Sequence, residues 1–391
     1  MTRKQILYFV FGLLLAGSYA MGQSAARVVT LKAADGTPLK ASYFAARKPG
    51  PGVLLFHQCN RQRKVWDDLA SRLATSGLNV LTVDYRSFGE SGGTPFDKLD
   101  AAQRAQMVAE KWPGDMDTAF QYLVSQPGVK REIIGAGGAS CGVNESIQLA
   151  RRHPEVKSLV LLSGNTTREG RQFLRTSATL PLFISAADDD GGIVQYMQWL
   201  ASLSQNPGNK FERYAAGGHG TDMFAAHKEL PGMITEWFST TLVKTPGRAP
   251  ASAMAPPLSS QEADLLDLID QSGGAAKAAA MLERERQRDP KAAPFKENIV
   301  NLIGYEHLAT GDTKGAVEIF KLNATAFPNS ANVYDSLSDA YLADGQNDLA
   351  RQNAQKTLDA LGSDASNSEE RRKLIRASAE QKLKQLGQTA R

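Results

Sequence analysis

The stretch Gly138-Ala139-Ser140-Cys141-Gly142 constrains the fold of this chain more than any other, because it places a G-x-S-x-G pentapeptide between two different kinds of local pattern. Residues 132–137 form an apolar, glycine-rich run typical of a strand, and residues 143–152 have the periodicity of an amphipathic helix. A sharp strand-to-helix turn lifts a serine hydroxyl above the edge of a parallel sheet, and the flanking glycines leave room for it. The sequence therefore predicts Ser140 as a nucleophile; the alternative is an inert serine in a glycine-rich turn.

Strand and helix patterns alternate along the chain from residue 28 to residue 243. A hairpin is predicted first, over residues 28–44. Six apolar runs that fit buried strands follow: 53–56, 79–84, 132–137, 157–162, 180–186 and 211–215. This alternation predicts a mostly parallel sheet covered by helices, with ligands at the carboxyl ends of the strands. Ser140, Asp189 and His219 each follow a predicted strand, so we expect all three at that one edge.

The first 22 residues have the pattern of a secretory signal peptide: a basic start at Arg3 and Lys4, an apolar run over 6–16, and small residues after it. An uncleaved membrane anchor is the alternative interpretation. We therefore expect a periplasmic or secreted protein, without membrane association after signal cleavage, in an oxidising compartment. The formal net charge of +4 and the lack of a concentrated basic stripe give no indication of a nucleic-acid partner.

A composition break divides the rest of the chain. Residues 245–258 are rich in Pro and Ala and are interpreted as a linker between a domain at 26–244 and a helical domain at 259–388. Small residues in the helical part recur 34 positions apart, Gly304, Gly311 and Ala316 matching Ser338, Gly345 and Ala350. This period resembles the tetratricopeptide repeat, which implies an all-α domain with a concave surface for a peptide, a partner protein or self-association. The two parts are expected to fold independently.

The N-terminal part resembles the α/β-hydrolase superfamily, and within it the compact, lidless dienelactone-hydrolase-like enzymes. Five motifs carry the resemblance: His57-Gln58-Cys59-Asn60 after a strand, residues 84–93, the pentapeptide at Ser140, Asp188-Asp189-Asp190, and Gly217-Gly218-His219-Gly220. The resemblance implies an α/β-hydrolase fold and the chain order nucleophile, acid, base. Ser140, Asp189 and His219 keep that order. Asp189 is favoured as the acid by counting from Ile184, with Asp188 and Asp190 left open.

In this chemistry His219 takes the serine proton and a carboxylate holds the imidazole in the correct tautomer. Dienelactone hydrolases use a cysteine nucleophile, so Cys141 is the second candidate, but only Ser140 has a glycine two residues away on both sides. Cys141 is then expected to supply one backbone N–H of the oxyanion hole, and Cys59 or Asn60 the other. Two cysteines beside one oxyanion hole, in an oxidising compartment, predict a disulfide between Cys59 and Cys141.

The sequence thus predicts a secreted serine hydrolase acting on an ester, lactone or related small acyl substrate, with no metal or organic cofactor. Few residues separate the strand that ends at Leu162 from the strand that begins at Leu180, so no inserted lid is expected and the cleft should be open, or bordered by residues 94–111. A peptidase of the same fold and a catalytically silent hydrolase domain in a repeat-based scaffold protein are the alternatives.

Overall fold

The structure, a computed structural model, describes residues 26–251, 258 and 260–388. The predicted signal peptide lies outside the described residues, as does part of the predicted linker. Within the described ranges, no helix combines the length and the apolar character needed to cross a membrane.

Residues 26–251, here called the sheet region, contain one eight-stranded sheet. Its strands are β1 (Arg27–Lys32), β2 (Pro38–Phe44), β3 (Gly50–Phe56), β4 (Asn79–Val83), β5 (Val129–Ala139), β6 (Val156–Leu162), β7 (Leu182–Ala187) and β8 (Lys210–Tyr214). Their spatial order is β1-β2-β4-β3-β5-β6-β7-β8. The first two strands form an antiparallel hairpin, β2 pairs antiparallel with β4, and β3 to β8 run parallel to one another. All eight strands predicted from the sequence are confirmed.

Helices cover both faces of this sheet. They are α1 (Asp67–Thr75), α2 (Ala101–Gln106), α3 (Trp112–Ser125), α4 (Cys141–Arg152), α5 (Arg168–Thr176), α6 (Ile193–Leu203), α7 (Met223–Ala226) and α8 (Leu230–Phe238). Every residue of β3 and β4 is buried, because helices lie on both sides of these central strands. The apolar strand side chains divide between two core clusters, one for each face.

Residues 258–388, here called the helical region, contain seven further helices among the described residues. They are α9 (Ser260–Ile269), α10 (Gly274–Arg288), α11 (Glu297–Ala309), α12 (Thr313–Ala326), α13 (Ala331–Ala343), α14 (Asn347–Ala360) and α15 (Glu369–Gln388). The pair α13–α14 begins 34 residues after the pair α11–α12, at 331 against 297 and at 347 against 313. Gly304 lets α11 approach α12, since a Cβ there would lie 2.5 Å from the ring of Phe320. The predicted helical hairpins are confirmed; their assignment to the tetratricopeptide family stays a prediction.

The helical region packs directly against the sheet region. Apolar side chains of α6, of α9 to α11 and of the segment before α11 belong to one buried cluster, which includes Trp199, Leu200, Leu265, Leu266, Ile269, Phe295 and Ile299. Trp199 also donates a hydrogen bond from Nε1 to Asp267 Oδ1 at 3.3 Å. Since the two parts share buried apolar surface, the structure argues against the expectation that they fold independently.

Candidate active site

Ser140 lies in the sharp turn between β5 and α4. Its backbone has φ 55° and ψ −121°, a conformation that non-glycine residues adopt at a cost and that clusters at functional sites. A Cβ on Gly138 would lie 1.9 Å from the carbonyl oxygen of Gly142, and a Cβ on Gly142 would lie 2.3 Å from the carbonyl oxygen of Phe56. Both glycines are therefore required by the tight turn, as the sequence predicts.

His219 is paired with a carboxylate, and this carboxylate belongs to Asp190. Nδ1 of His219 lies 2.9 Å from Oδ1 and 2.8 Å from Oδ2 of Asp190. The sequence favours Asp189 for this position, and here the structure corrects it. The count begins at Ile184, the last large apolar residue of the strand, but β7 continues to Ala187, one residue beyond its predicted end. A turn follows in which the amide of Asp190 donates to the carbonyl of Ala187 at 3.2 Å, so Asp190 is the residue at the histidine.

Asp189 has a different role: it joins the loop after β7 to the loop after β8. Its carboxylate accepts hydrogen bonds from the backbone N–H of Gly217, at 3.0 and 3.1 Å, and of Gly218, at 3.0 Å. These two amide donors lower the pKa of the Asp189 carboxyl. Asp189 thus fixes the loop that leads to His219, whereas Asp188 is paired with Arg213 at 2.7 Å, away from the histidine.

Gln58 holds the histidine loop beside the nucleophile turn. Its Oε1 accepts hydrogen bonds from the backbone N–H and the hydroxyl of Thr221, both at 2.8 Å, and its Nε2 lies 3.4 Å from the carbonyl oxygen of His219. In the same loop, a Cβ on Gly220 would lie 3.2 Å from the Cβ of Ala139, the residue before Ser140. This role of Gln58 was not predicted, and its position between His57 and Cys59 is the only sequence signal for it.

His57 is fully buried and is held by two backbone groups. Its Nε2 accepts a hydrogen bond from the amide of Tyr85 at 3.2 Å, so Nδ1 carries the proton that is donated to the carbonyl of Gln58 at 2.8 Å. Burial lowers the pKa of His57 to about 4, which keeps the ring neutral. Both ring nitrogens are engaged by backbone groups, so His57 shapes the loop after β3 and has no nitrogen free to act as a base.

Cys59 and Cys141 form a disulfide, with their Cα atoms 5.9 Å apart. The predicted pairing is therefore confirmed in the structure. Cys141 is the first residue of α4, and Cys59 lies in the loop that follows β3. The bond joins the two segments from which oxyanion-hole amides are expected, and it lies next to Ser140. The assignment of these two amides to the oxyanion hole stays a prediction.

A cavity of about 350 Å³ borders this disulfide. From the sheet region it is lined by Cys59, Val108, Trp112, Cys141, Asn144 and Glu145, together with residues 165–169 and Arg171. From the helical region it is lined by Asp270, Glu306, His307, Ala309, Thr310 and Asp312. The helical region therefore supplies one wall of this cavity, and Val108, within the segment 94–111 that was expected to border the cleft, also lines it. The chain between β6 and β7 contains α5, and the openness of the cleft at Ser140 stays a prediction.

Of the carboxyls that line this cavity, Glu145 is the least exposed, with 2% of the residue exposed. It lies one helical turn after Cys141, and its Oε1 accepts a hydrogen bond from Nδ2 of Asn144 at 3.1 Å. Burial raises the pKa of Glu145 to about 7. Glu145 thus adds a carboxyl that changes protonation near neutral pH. Across the part of the chain that the structure describes, no three His, Cys, Asp or Glu side chains are grouped so as to hold a metal ion.

The parallel sheet, the strained serine turn and the paired histidine define an α/β-hydrolase fold with an all-helical region after it. Residues 39–229 match the model of the Dienelactone hydrolase family, so this part of the chain is similar to dienelactone hydrolases. The match covers just under half of the 391 residues and does not reach the helical region.

Two relatives have names that describe acyl chemistry. The chain is 30% identical over 107 residues to "Thiohydrolase aneE" of Aspergillus aculeatus, covering 27% of this chain and 31% of that protein. It is 23% identical over 184 residues to "Polyketide transferase grgF" of Penicillium sp, covering 43% of this chain and 60% of that protein. The chain thus spans about a third and about three fifths of these two relatives.

Two solved structures are similar to part of the chain. The esterase Pf2001 of Pyrococcus furiosus matches with 18% identity and a TM-score of 0.45, over 55% of this chain and 92% of the esterase. A dienelactone hydrolase from Anabaena variabilis matches with 17% identity and a TM-score of 0.44, over 56% of this chain and 100% of that enzyme.

Proposed function

We propose that the chain is a serine hydrolase that cleaves a small ester, thioester or lactone through Ser140, His219 and Asp190. The observation that carries this proposal is the combination, at one edge of the sheet, of a strained Ser140 and a histidine 2.8 Å from a carboxylate. An inert serine in a glycine-rich turn has no need of the paired histidine, so the combination also speaks against a catalytically silent domain.

In the proposed reaction, His219 removes the proton from the Ser140 hydroxyl while the oxygen attacks the acyl carbon. Asp190 orients the imidazole through Nδ1 and stabilises the imidazolium that forms. The amides of Cys59 and Cys141 stabilise the negative charge on the carbonyl oxygen. His219 then returns the proton to the leaving group, and a water molecule activated by His219 releases the acyl group.

The acyl substrate class is supported by the relatives named as a thiohydrolase and as a polyketide transferase. A transferase differs only in the last step, where a second nucleophile replaces water. A peptidase of the same fold is the alternative that the sequence leaves open, and activity on aminoacyl-naphthylamides without activity on short acyl esters would favour it.

We also propose that the protein acts in the periplasm or outside the cell, where the compartment preserves a disulfide such as Cys59–Cys141. The basic and apolar pattern of the first 22 residues supports the same location. A protein or peptide partner of the helical region remains a prediction from its repeats.

The decisive experiment measures hydrolysis of p-nitrophenyl acetate and labelling by a fluorophosphonate probe. Ser140→Ala and His219→Ala should each lower turnover by about 10⁴-fold or more, and the double variant should be little worse than either single variant, because such residues act as a unit. The matched control is Ser76→Ala, at the exposed end of α1, which should keep full activity. Turnover close to that of the unmodified protein in Ser140→Ala would refute the assignment.

A further inference from the structure

The cavity beside the disulfide has walls from two separate parts of the chain. On one side lie Cys59 and Cys141, which flank the nucleophile turn. On the other side lie Ala309 and Thr310, at the end of α11, and Asp312, which precedes α12. An acyl group bound to Ser140 and directed along this cavity would therefore meet the helical region.

A buried ion-pair network holds this wall in position. Arg171 of α5, of which 3% is exposed, pairs through Nη2 with Asp270 at 2.6 Å and through Nη1 with Glu306. The hydroxyl of Tyr196 lies 3.0 Å from Oε1 of Glu306. Because a buried guanidinium is stable only when it is paired, the two carboxylates from the helical region are fixed to the sheet region at this point.

A second set of polar contacts joins the wall to the nucleophile helix. Asn144 accepts a hydrogen bond from the hydroxyl of Thr166 at 2.9 Å and donates one to Glu145. The carbonyl of Thr166 accepts a hydrogen bond from Arg171 at 2.8 Å. A connected path therefore runs from α4, three residues after Cys141, through Arg171 to Glu306 on α11. The wall is positioned relative to Ser140 and is not a loose neighbour.

We propose that the helical region is the lid of the acyl cavity, and that the end of α11 at Ala309 and Thr310 sets the size of the acyl group that the enzyme accepts. This proposal rests on the proposed hydrolase function. It gives the helical region a part in substrate selection, which the repeats alone do not indicate. Small acyl groups should fit without touching α11, whereas longer chains should contact it.

The test enlarges the side chain at the wall in the full chain. Ala309 is exposed and ends α11, so Ala309→Trp fills space in the cavity without disturbing a packed core. The matched control is Ala343→Trp. Ala343 is also exposed and ends α13, 34 residues after Ala309, so it has the equivalent position in the next helical hairpin. It does not line this cavity. Circular dichroism and thermal melting establish that each variant folds, and Thr310→Phe replaces Ala309→Trp if that variant does not.

Ala309→Trp should lower kcat/KM for p-nitrophenyl octanoate by about tenfold or more relative to p-nitrophenyl acetate, because pockets discriminate by at least this factor when they become too small for a substrate. Ala343→Trp should leave the ratio of the two substrates unchanged. If Ala309→Trp leaves the ratio of kcat/KM for the two esters unchanged, or if both variants change it equally, the proposal that the helical region is a lid is refuted.

Calorimetric titration with octanoate separates failure of the lid from failure of the hydrolase. Binding needs no turnover, and Ala309→Trp should weaken it by about tenfold while Ala343→Trp does not. If the unmodified protein hydrolyses neither ester and is not labelled by the fluorophosphonate, but the binding difference is found, the proposed function fails and the lid stands. If octanoate binds equally to all three proteins, or does not bind, the lid is refuted whatever the activity.

Discussion

Replacing Asp190 by Asn tests which carboxylate supports His219. Both oxygens of Asp190 lie within 2.9 Å of Nδ1 of the histidine, so the substitution removes the negative charge that stabilises the imidazolium and allows an amide N–H to face Nδ1. In a serine triad, this exchange of carboxylate for amide lowers kcat by about 10⁴-fold. At about 1.4 kcal/mol for each tenfold change, this corresponds to about 5.5 kcal/mol of lost transition-state stabilisation.

Asp189→Asn is the matched comparison, one residue away and with the same change of group. An asparagine at this position keeps one oxygen that can accept hydrogen bonds from the amides of Gly217 and Gly218. The substitution therefore loses at most about one exposed hydrogen bond, about 1 kcal/mol, and kcat should fall by less than about tenfold. The assay is kcat for p-nitrophenyl acetate, with melting temperature as the check on folding. A larger loss in Asp189→Asn than in Asp190→Asn would refute the assignment of the acid by distance.

Three further predictions concern the cavity, the disulfide and the helical region. Burial raises the pKa of Glu145 from 4.5 to about 7, so the protonated side chain stabilises the fold below pH 4.5, and about 3 kcal/mol of this stability is lost as the pH rises to 7. Glu145→Gln should therefore gain in melting temperature relative to the unmodified protein between pH 4.5 and pH 8. A difference in melting temperature that stays constant over this pH range would contradict the prediction. Reduction by dithiothreitol opens a loop of 82 residues and should cost about 4 kcal/mol of stability, which lowers the melting temperature. Cys59→Ala has no disulfide, so dithiothreitol should not change its melting temperature. An unchanged melting temperature of the unmodified protein on complete reduction would contradict the prediction. A chain ending at Lys244 exposes the apolar surface of α6 and leaves Arg171 without Asp270 and Glu306, so it should be insoluble; a soluble, fully active product would show that the two parts fold independently.

The sheet and the nucleophile turn could be predicted from the sequence because their signals are local. A buried strand shows itself as a continuous apolar run, and each of the eight strands has such a run or a hairpin pattern. The glycines at 138 and 142 stand at fixed spacing from Ser140 because backbone atoms of Gly142 and Phe56 occupy the space of their missing side chains. Such sterically required spacing is visible in the chain without knowledge of the rest of the molecule.

The acid could not be fixed in the same way. Three consecutive aspartates follow β7, and the choice among them depends on where the strand ends and how the chain turns afterwards. The sequence pattern ends this strand at Ala186 and β7 ends at Ala187, but the count to the acid began at Ile184, the last large apolar residue before the aspartates. The hydrogen bond from the amide of Asp190 to Ala187 makes the turn that selects Asp190, and this bond is a product of the fold.

The covering role of the helical region was hidden from the sequence because it depends on charges far apart in the chain. Helix α5 carries Arg168, Arg171 and Arg175, and a local pattern suggests that all three are solvated. Only Arg171 is buried, and its partners Asp270 and Glu306 lie 99 and 135 residues away. A buried arginine cannot persist without such partners, so the position of α11 over the cavity is tied to the burial of this one side chain. The repeat period predicts the helices themselves. Their placement beside Ser140 depends on ion pairs between residues about a hundred positions apart, which a local sequence pattern does not show.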